Sequence, residues 1–147
     1  MLWRNRRLAA ISSEDDGKEI LSVIKILIVE DNYMNMILVR DLLSAHGYIV
    51  SEAENGKKAL ELVAVDRPDI IIMDLHLPEM DGTTAMKSLK AEETTRKIPI
   101  IALTAAAMRG DEEKIIENGF DGYVPKPVNR QVLLDVLEEK LKEVKSL

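Results

Sequence analysis

From Val23 onward, hydrophobic and polar positions follow two regimes in alternation. Five short apolar runs come first: "VIKILIVE" (23–30), "IVSEAE" (49–54), "DIIIMD" (69–74), "IPIIALT" (98–104) and "GYVPK" (122–126). Most are apolar at successive positions, which is how parallel strands covered on both faces read. The second alternates only in part and is expected at the sheet edge. Between the runs the spacing turns helical. "NMILVRDLLSAHG" (35–47) repeats Ile37, Leu38, Asp41, Leu42 and Ala45 and stops at Gly47, a helix C-terminal signal. "GKKALELVAVDRP" (56–68) sets Ala59, Leu60 and Val63 on one face and ends before Pro68. "GTTAMKSLKAEE" (82–93) and "AAMRGDEEKIIENGF" (106–120) supply two more helices, the latter closed by Gly119. "NRQVLLDVLEEKLKEV" (129–144) is the longest, with Val132, Leu133, Val136, Leu137 and Leu141 expected inward and Asn129 as N-cap. Five strands alternating with five helices predict one α/β domain on a parallel sheet, with right-handed crossovers.

Composition narrows the function. The 147 residues are about one domain in length, and 46% apolar residues suffice for a filled core. Charged residues make up 31%, mixed in sign, with a net charge of −6. That balance argues against a nucleic-acid partner, because phosphate backbones select a basic surface. No cysteine is present, so disulfides and thiol chemistry are out. No apolar run approaches the roughly 18 to 20 residues of a membrane span. Residues 1–23 stand apart. "MLWRNRRLAA" is basic, "ISSEDDGKE" is acidic, and the apolar stretch between them is too short for a signal peptide. They are expected as a flexible tail, with the domain at 24–147.

In open α/β sheets ligands bind at the carboxyl ends of the strands. Here the first strand ends in Glu30 and Asp31, the third in Asp74, the fourth in Thr104 and the fifth in Lys126. Each has an ordinary explanation on its own. Acids complement helix N-termini, Asp and Thr make turns, and a lysine before proline suits a solvated loop. Their convergence on one rim is not ordinary. Three clustered carboxylates repel one another, and a hard divalent cation such as Mg²⁺ relieves that repulsion through oxygen ligands. Lys126 and Thr104 add donors for phosphoryl oxygens, and Asp74 can serve as a nucleophile.

Four stretches resemble the receiver domain of two-component response regulators: "ILIVEDN" (26–32), "DIIIMDLHLPEMDG" (69–82), "IIALTA" (100–105) and "GYVPKP" (122–127). Their order and spacing match from about Lys25 to Lys145. The resemblance implies a doubly wound, five-stranded (βα)5 flavodoxin-like sheet of strand order 2-1-3-4-5. It implies that Asp74 is the phosphoacceptor, charged by a histidine kinase or a histidine phosphotransfer protein. It further implies that Asp31, Asp74 and the His76 backbone carbonyl ligate Mg²⁺, with Glu30 acting through water. Lys126 pairs with the phosphoryl group in the family, Thr104 swings in to bond it, and Tyr123 turns inward with Thr104. The Lys126–Pro127 bond is expected to be cis.

The domain implied is a cytoplasmic phosphoacceptor rather than a turnover enzyme, catalysing its own phosphorylation and slow dephosphorylation. It would signal to a downstream protein through the face of the fourth helix, fifth strand and fifth helix, where "AAAM" (105–108) leaves room for Tyr123. The pattern ends with the fifth helix, so a stand-alone receiver is expected, with no DNA-binding output domain. A monomer or a weak phosphorylation-dependent dimer follows.

Two positions depart from the common pattern. Glu30 replaces a frequent Asp, and His76 is an unusual side chain two residues after the acceptor, where it could tune phosphoryl lifetime or simply face solvent. "EDN" followed by Asn35 looks most like receivers fused to hybrid kinases and their stand-alone relatives. Three rivals compete. A haloacid-dehalogenase-like phosphohydrolase also uses an aspartyl nucleophile, but it needs a second acid where His76 stands. A binding module that lost phosphorylation would have dropped one of the acids, Thr104 or Lys126. A flavodoxin-like cofactor binder wants a hydroxyl- and glycine-rich loop where "EDNYMN" (30–35) is acidic.

Overall fold

A computed structural model describes residues 8–12, 19–105 and 111–145. Five strands form one parallel sheet: β3 (Lys25–Val29), β4 (Ile49–Ala53), β5 (Ile70–Asp74), β6 (Ile100–Thr104) and β7 (Gly122–Pro125). Their spatial order is β4-β3-β5-β6-β7, which is 2-1-3-4-5 for the five predicted strands, as expected. The helices α1 (Tyr33–Ala45), α2 (Gly56–Val65), α3 (Gly82–Ala91) and α4 (Asp111–Asn118) provide the crossovers, and α5 (Arg130–Lys145) follows β7.

Strand periodicity divides the core into two layers. Ile26, Ile28, Ile70, Ile72, Ile101 and Leu103 face α1 and α5. Leu27, Val29, Ile71, Met73, Ile100 and Ala102 face α2, α3 and α4. Every residue of β5 and β6 is buried, which is why their sequences are apolar without alternation. The edge strand β4 buries only Ala53, in keeping with its mixed pattern.

Helix ends follow their local signals. Asn32, Asn55 and Asp81 cap α1, α2 and α3, their side chains accepting from the amides of Asn35, Lys58 and Thr84. Asn129 Oδ1 accepts from the Val132 amide at 3.0 Å, so it caps α5 as expected. Gly47 follows α1 with φ 86°, a left-handed turn that glycine adopts without a Cβ penalty.

The inward face of α1 is set by packing. Met36, Val39 and Leu43 are its buried residues, whereas Leu38 is 51% exposed. Ile37 and Leu38 instead line an outer groove shared with His46 and Arg130, and Leu42 borders that groove while packing partly against the core. Two apolar stripes run along this helix, and packing against the sheet selects one of them. In α5, Leu133, Leu137 and Leu141 are buried and Val136 packs against the core as expected, while Leu134 is buried in place of Val132, which is 40% exposed. Within residues 1–23, β1 (Leu8–Ser12) and β2 (Glu19–Val23) form a two-stranded antiparallel ribbon, with register from Leu8↔Val23 to Ser12↔Glu19.

Candidate functional site

Three strands deliver the site to one rim. Asp74 is the last residue of β5, Glu30 directly follows β3, and Lys126 directly follows β7. Parallel pairing in register puts these ends side by side. The Lys126 ammonium lies 2.8 Å from Glu30 Oε1 and 2.9 Å from Asp74 Oδ2. Asp31 completes a cluster with Glu30 and Asp74, one carboxylate oxygen of each lying within 4.8 Å of the others. Glu30 and Asp74 are buried; Asp31 is exposed. The sites read from distant segments thus meet, and they do so at the carboxyl ends of the strands, as this topology requires.

The charges in this cluster are unevenly matched. Burial, then the neighbouring Asp74 carboxyl, push Glu30 up to about 7 from an ordinary 4.5. For Asp74, burial also disfavours the charge, but Glu30, Lys126 and the His76 amide outweigh it and hold the carboxyl below its usual value. Burial likewise works to lower Lys126, and its two carboxylate neighbours outweigh that and raise it. One ammonium therefore serves two buried acids. Glu30 Oε1 is enclosed and receives no aligned hydrogen bond, only the ion pair with Lys126. Hard oxygen donors, a shortfall of positive charge and an under-partnered buried oxygen together fit a divalent cation such as Mg²⁺.

The loop after β5 shapes the surroundings of Asp74. The His76 amide donates to Asp74 Oδ1 at 3.0 Å, and the His76 residue is exposed. The Gly82 amide donates to the Leu75 carbonyl at 3.1 Å. A Cβ on Gly82 would collide with the Asp74 carbonyl oxygen, so only glycine lets α3 begin this close to Asp74. Sequence reasoning missed that role, although the glycine after "EMD" was its visible signal. Asp81 is a fourth acid nearby, but it is engaged as the α3 cap, with the Thr84 amide at 2.8 Å.

Thr104 ends β6 and is buried; its carbonyl accepts from the Lys126 amide at 2.7 Å. Tyr123 pairs with Ala102 in the register of β6 and β7, two residues along the same sheet face from Thr104. It is half-buried against the α2, α3 and α4 layer. The Tyr123 hydroxyl bonds to Glu112 of α4, which with burial raises its pKa. The Lys126–Pro127 bond is cis. Residues 106–108 of the "AAAM" stretch lie outside the described residues. His46 bonds the Leu42 carbonyl through Nδ1 at 3.0 Å, as a helix C-terminal residue does.

Comparison with known proteins agrees with this arrangement. The family model for the response regulator receiver domain matches residues 26–138. The polar-differentiation response regulator DivK of Brucella anthropi is 44% identical over 116 residues, covering 79% of this chain and 94% of that protein. The receiver domain of sensor histidine kinase PA1611 from Pseudomonas aeruginosa superposes with a TM-score of 0.76 at 36% identity, covering 82% of this chain and 99% of that one. That crystal structure has a magnesium ion coordinated in its active site cleft. The chemotaxis response regulator CheY4 of Vibrio cholerae gives a TM-score of 0.76 at 28% identity, covering 81% and 99% of the two chains.

Proposed function

Because the chain belongs to the response regulator receiver domain family, we propose that Asp74 accepts a phosphoryl group from a histidine kinase or a histidine phosphotransfer protein. The observation that carries this reading is Lys126, whose ammonium stands 2.9 Å from a buried Asp74 and 2.8 Å from a buried Glu30. Such an arrangement is costly for a merely structural site. It suits one that receives a dianion.

In the transfer, an Asp74 carboxylate oxygen attacks the phosphorus of a phosphohistidine. The P–N bond breaks, its electron pair stays on the imidazole nitrogen, and an aspartyl phosphate forms. The Lys126 ammonium then follows the new phosphoryl oxygens, and the Thr104 hydroxyl donates to one of them. Asp31, Asp74 and the His76 carbonyl would hold Mg²⁺, with Glu30 acting through water, and the ion would supply positive charge beside those oxygens. Attack by water on phosphorus later breaks the Asp74 O–P bond and returns the carboxylate with inorganic phosphate.

The output is a population shift. Thr104 turning toward the phosphoryl group vacates space, and Tyr123 gives up Glu112 to follow it, changing the face made by α4, β7 and α5. Moving such an equilibrium from 1:99 to 99:1 needs about 5.5 kcal/mol of differential interaction. This face meets a downstream protein, or a second copy in a weak phosphorylation-dependent dimer. In this proposal the unit that takes the phosphoryl group is a cytoplasmic receiver over residues 24–147, with 1–23 as a tail ahead of it.

Mass spectrometry after treatment with acetyl phosphate and Mg²⁺ tests the reading. An adduct of about 80 Da is expected, absent from Asp74→Asn and from the metal-free protein. No adduct under any condition would leave a binding module that does not use phosphorylation.

A further inference from the structure

We propose that Gly56, the first residue of α2, is a positioning residue for the phosphoacceptor. Lacking a Cβ, it lets α2 close on the loop between β5 and α3 and hold the His76 amide against Asp74. This rests on the reading of Asp74 as the acceptor.

A Cβ on Gly56 would come 2.7 Å from the Met80 carbonyl oxygen, 3.1 Å from Met80 Cγ and 3.2 Å from Ala85 Cβ. The nearest of these is backbone, which cannot rotate aside as a side-chain end can. Gly56 itself has little freedom to retreat. It is buried, and Asn55 clamps the first turn of α2 by accepting from the Lys58 amide at 2.8 Å.

The loop is equally constrained. Glu79 has φ 64°, a conformation uncommon for a residue with a side chain. The Met80 amide turns back on the Pro78 carbonyl at 2.7 Å, and the Gly82 amide holds the Leu75 carbonyl at 3.1 Å. The Met80 side chain packs into the core layer beneath α2 and α3. One end of the loop is thus tied to the backbone at Leu75, next to Asp74, and its far side rests on Gly56. Pushing Met80 outward by a few tenths of an ångström moves the same loop that carries the 3.0 Å bond from His76 to Asp74. Gly122 provides the contrast. A Cβ there would meet only side-chain ends, Ile101 Cδ1 at 3.1 Å and Lys140 Cε and Val136 Cγ1 at 3.5 Å.

The test compares Gly56→Ala and Gly122→Ala with the wild-type chain. Phosphorylation rate is followed against acetyl phosphate concentration with Mg²⁺, and the His76 amide resonance is followed by NMR without metal or phosphodonor. Displacements of this kind cost up to about 100-fold per ångström. Gly56→Ala is therefore expected to lower the saturating rate severalfold, about fourfold for a shift of about 0.3 Å, to leave the half-saturating concentration unchanged, and to shift the His76 resonance. Gly122→Ala should leave all three as in wild type. A wild-type rate in Gly56→Ala, an unmoved His76 resonance, or equal slowing in Gly122→Ala overturns the proposal. If Gly56→Ala does not fold, Met80→Ala takes its place. It removes the loop's side-chain anchor and is expected to produce the same slowing and shift, and wild-type behaviour there counts equally against the idea. Should the wild-type chain take no phosphoryl group, the acceptor reading fails, and the His76 resonance alone still decides whether Gly56 holds the loop.

Discussion

Glu30 carries the sharpest consequence at the scale of single residues. Its carboxyl is raised to about 7 in the folded chain against an ordinary 4.5. Between those values the folded state binds more protons than the unfolded one, so stability falls as pH rises through that window. Asp74 titrates below the window and Lys126 above it. In EDTA, the melting temperature is therefore expected to fall between about pH 5 and about pH 8. Glu30→Gln should flatten that fall, since an amide does not titrate. A slope unchanged in the variant would assign the pH dependence to another group. Asp74 and Lys126 were legible as site residues because each ends an apolar run with a charge. The raised pKa of Glu30 was not, because it depends on a burial partner 44 positions away in the chain.

Among the elements, α1 separates pattern from packing most clearly. Its sequence holds two apolar stripes of similar strength, Met36–Val39–Leu43 and Ile37–Leu38–Leu42. Only the first is buried. Leu43→Ala is expected to cost about 3 kcal/mol, a buried large-to-small change. Leu38→Ala, at a half-exposed position, should stay within about 0.5 kcal/mol. Urea titration of both variants checks the register, and equal losses would contradict it. Helix existence, the Asn129 cap and the stop at Gly47 were readable because each signal is local. The ribbon of β1 and β2 was not, since neither strand carries a strong alternation and the pairing is between segments of the tail itself.

For the molecule as a whole, three acids gathered at one end of the sheet make metal binding and folding linked events. A ligand that binds only the folded state at a hundred times its dissociation constant stabilises it by about 2.7 kcal/mol. Mg²⁺ at such a concentration is expected to raise the melting temperature of the wild-type chain at about pH 8, where Glu30 is ionised. Asp31→Asn should lose most of that rise with little change in the metal-free protein, because Asp31 is exposed. A full rise in the variant would remove Asp31 from the ligand set.

The sequence by itself determined the architecture, the strand ends that bear chemistry and the family. Those follow from short unbroken apolar runs alternating with segments of 3.6-residue periodicity, from local caps, and from charges placed where apolar runs stop. Tertiary structure alone decided which stripe of α1 is core, how one ammonium is shared by Glu30 and Asp74, where the Tyr123 hydroxyl points, and how closely Gly56 and Gly82 approach the loop after β5. Each of those is a distance between segments remote in the chain. Such distances are set by how twisted layers pack, a quantity that no local pattern of residues encodes.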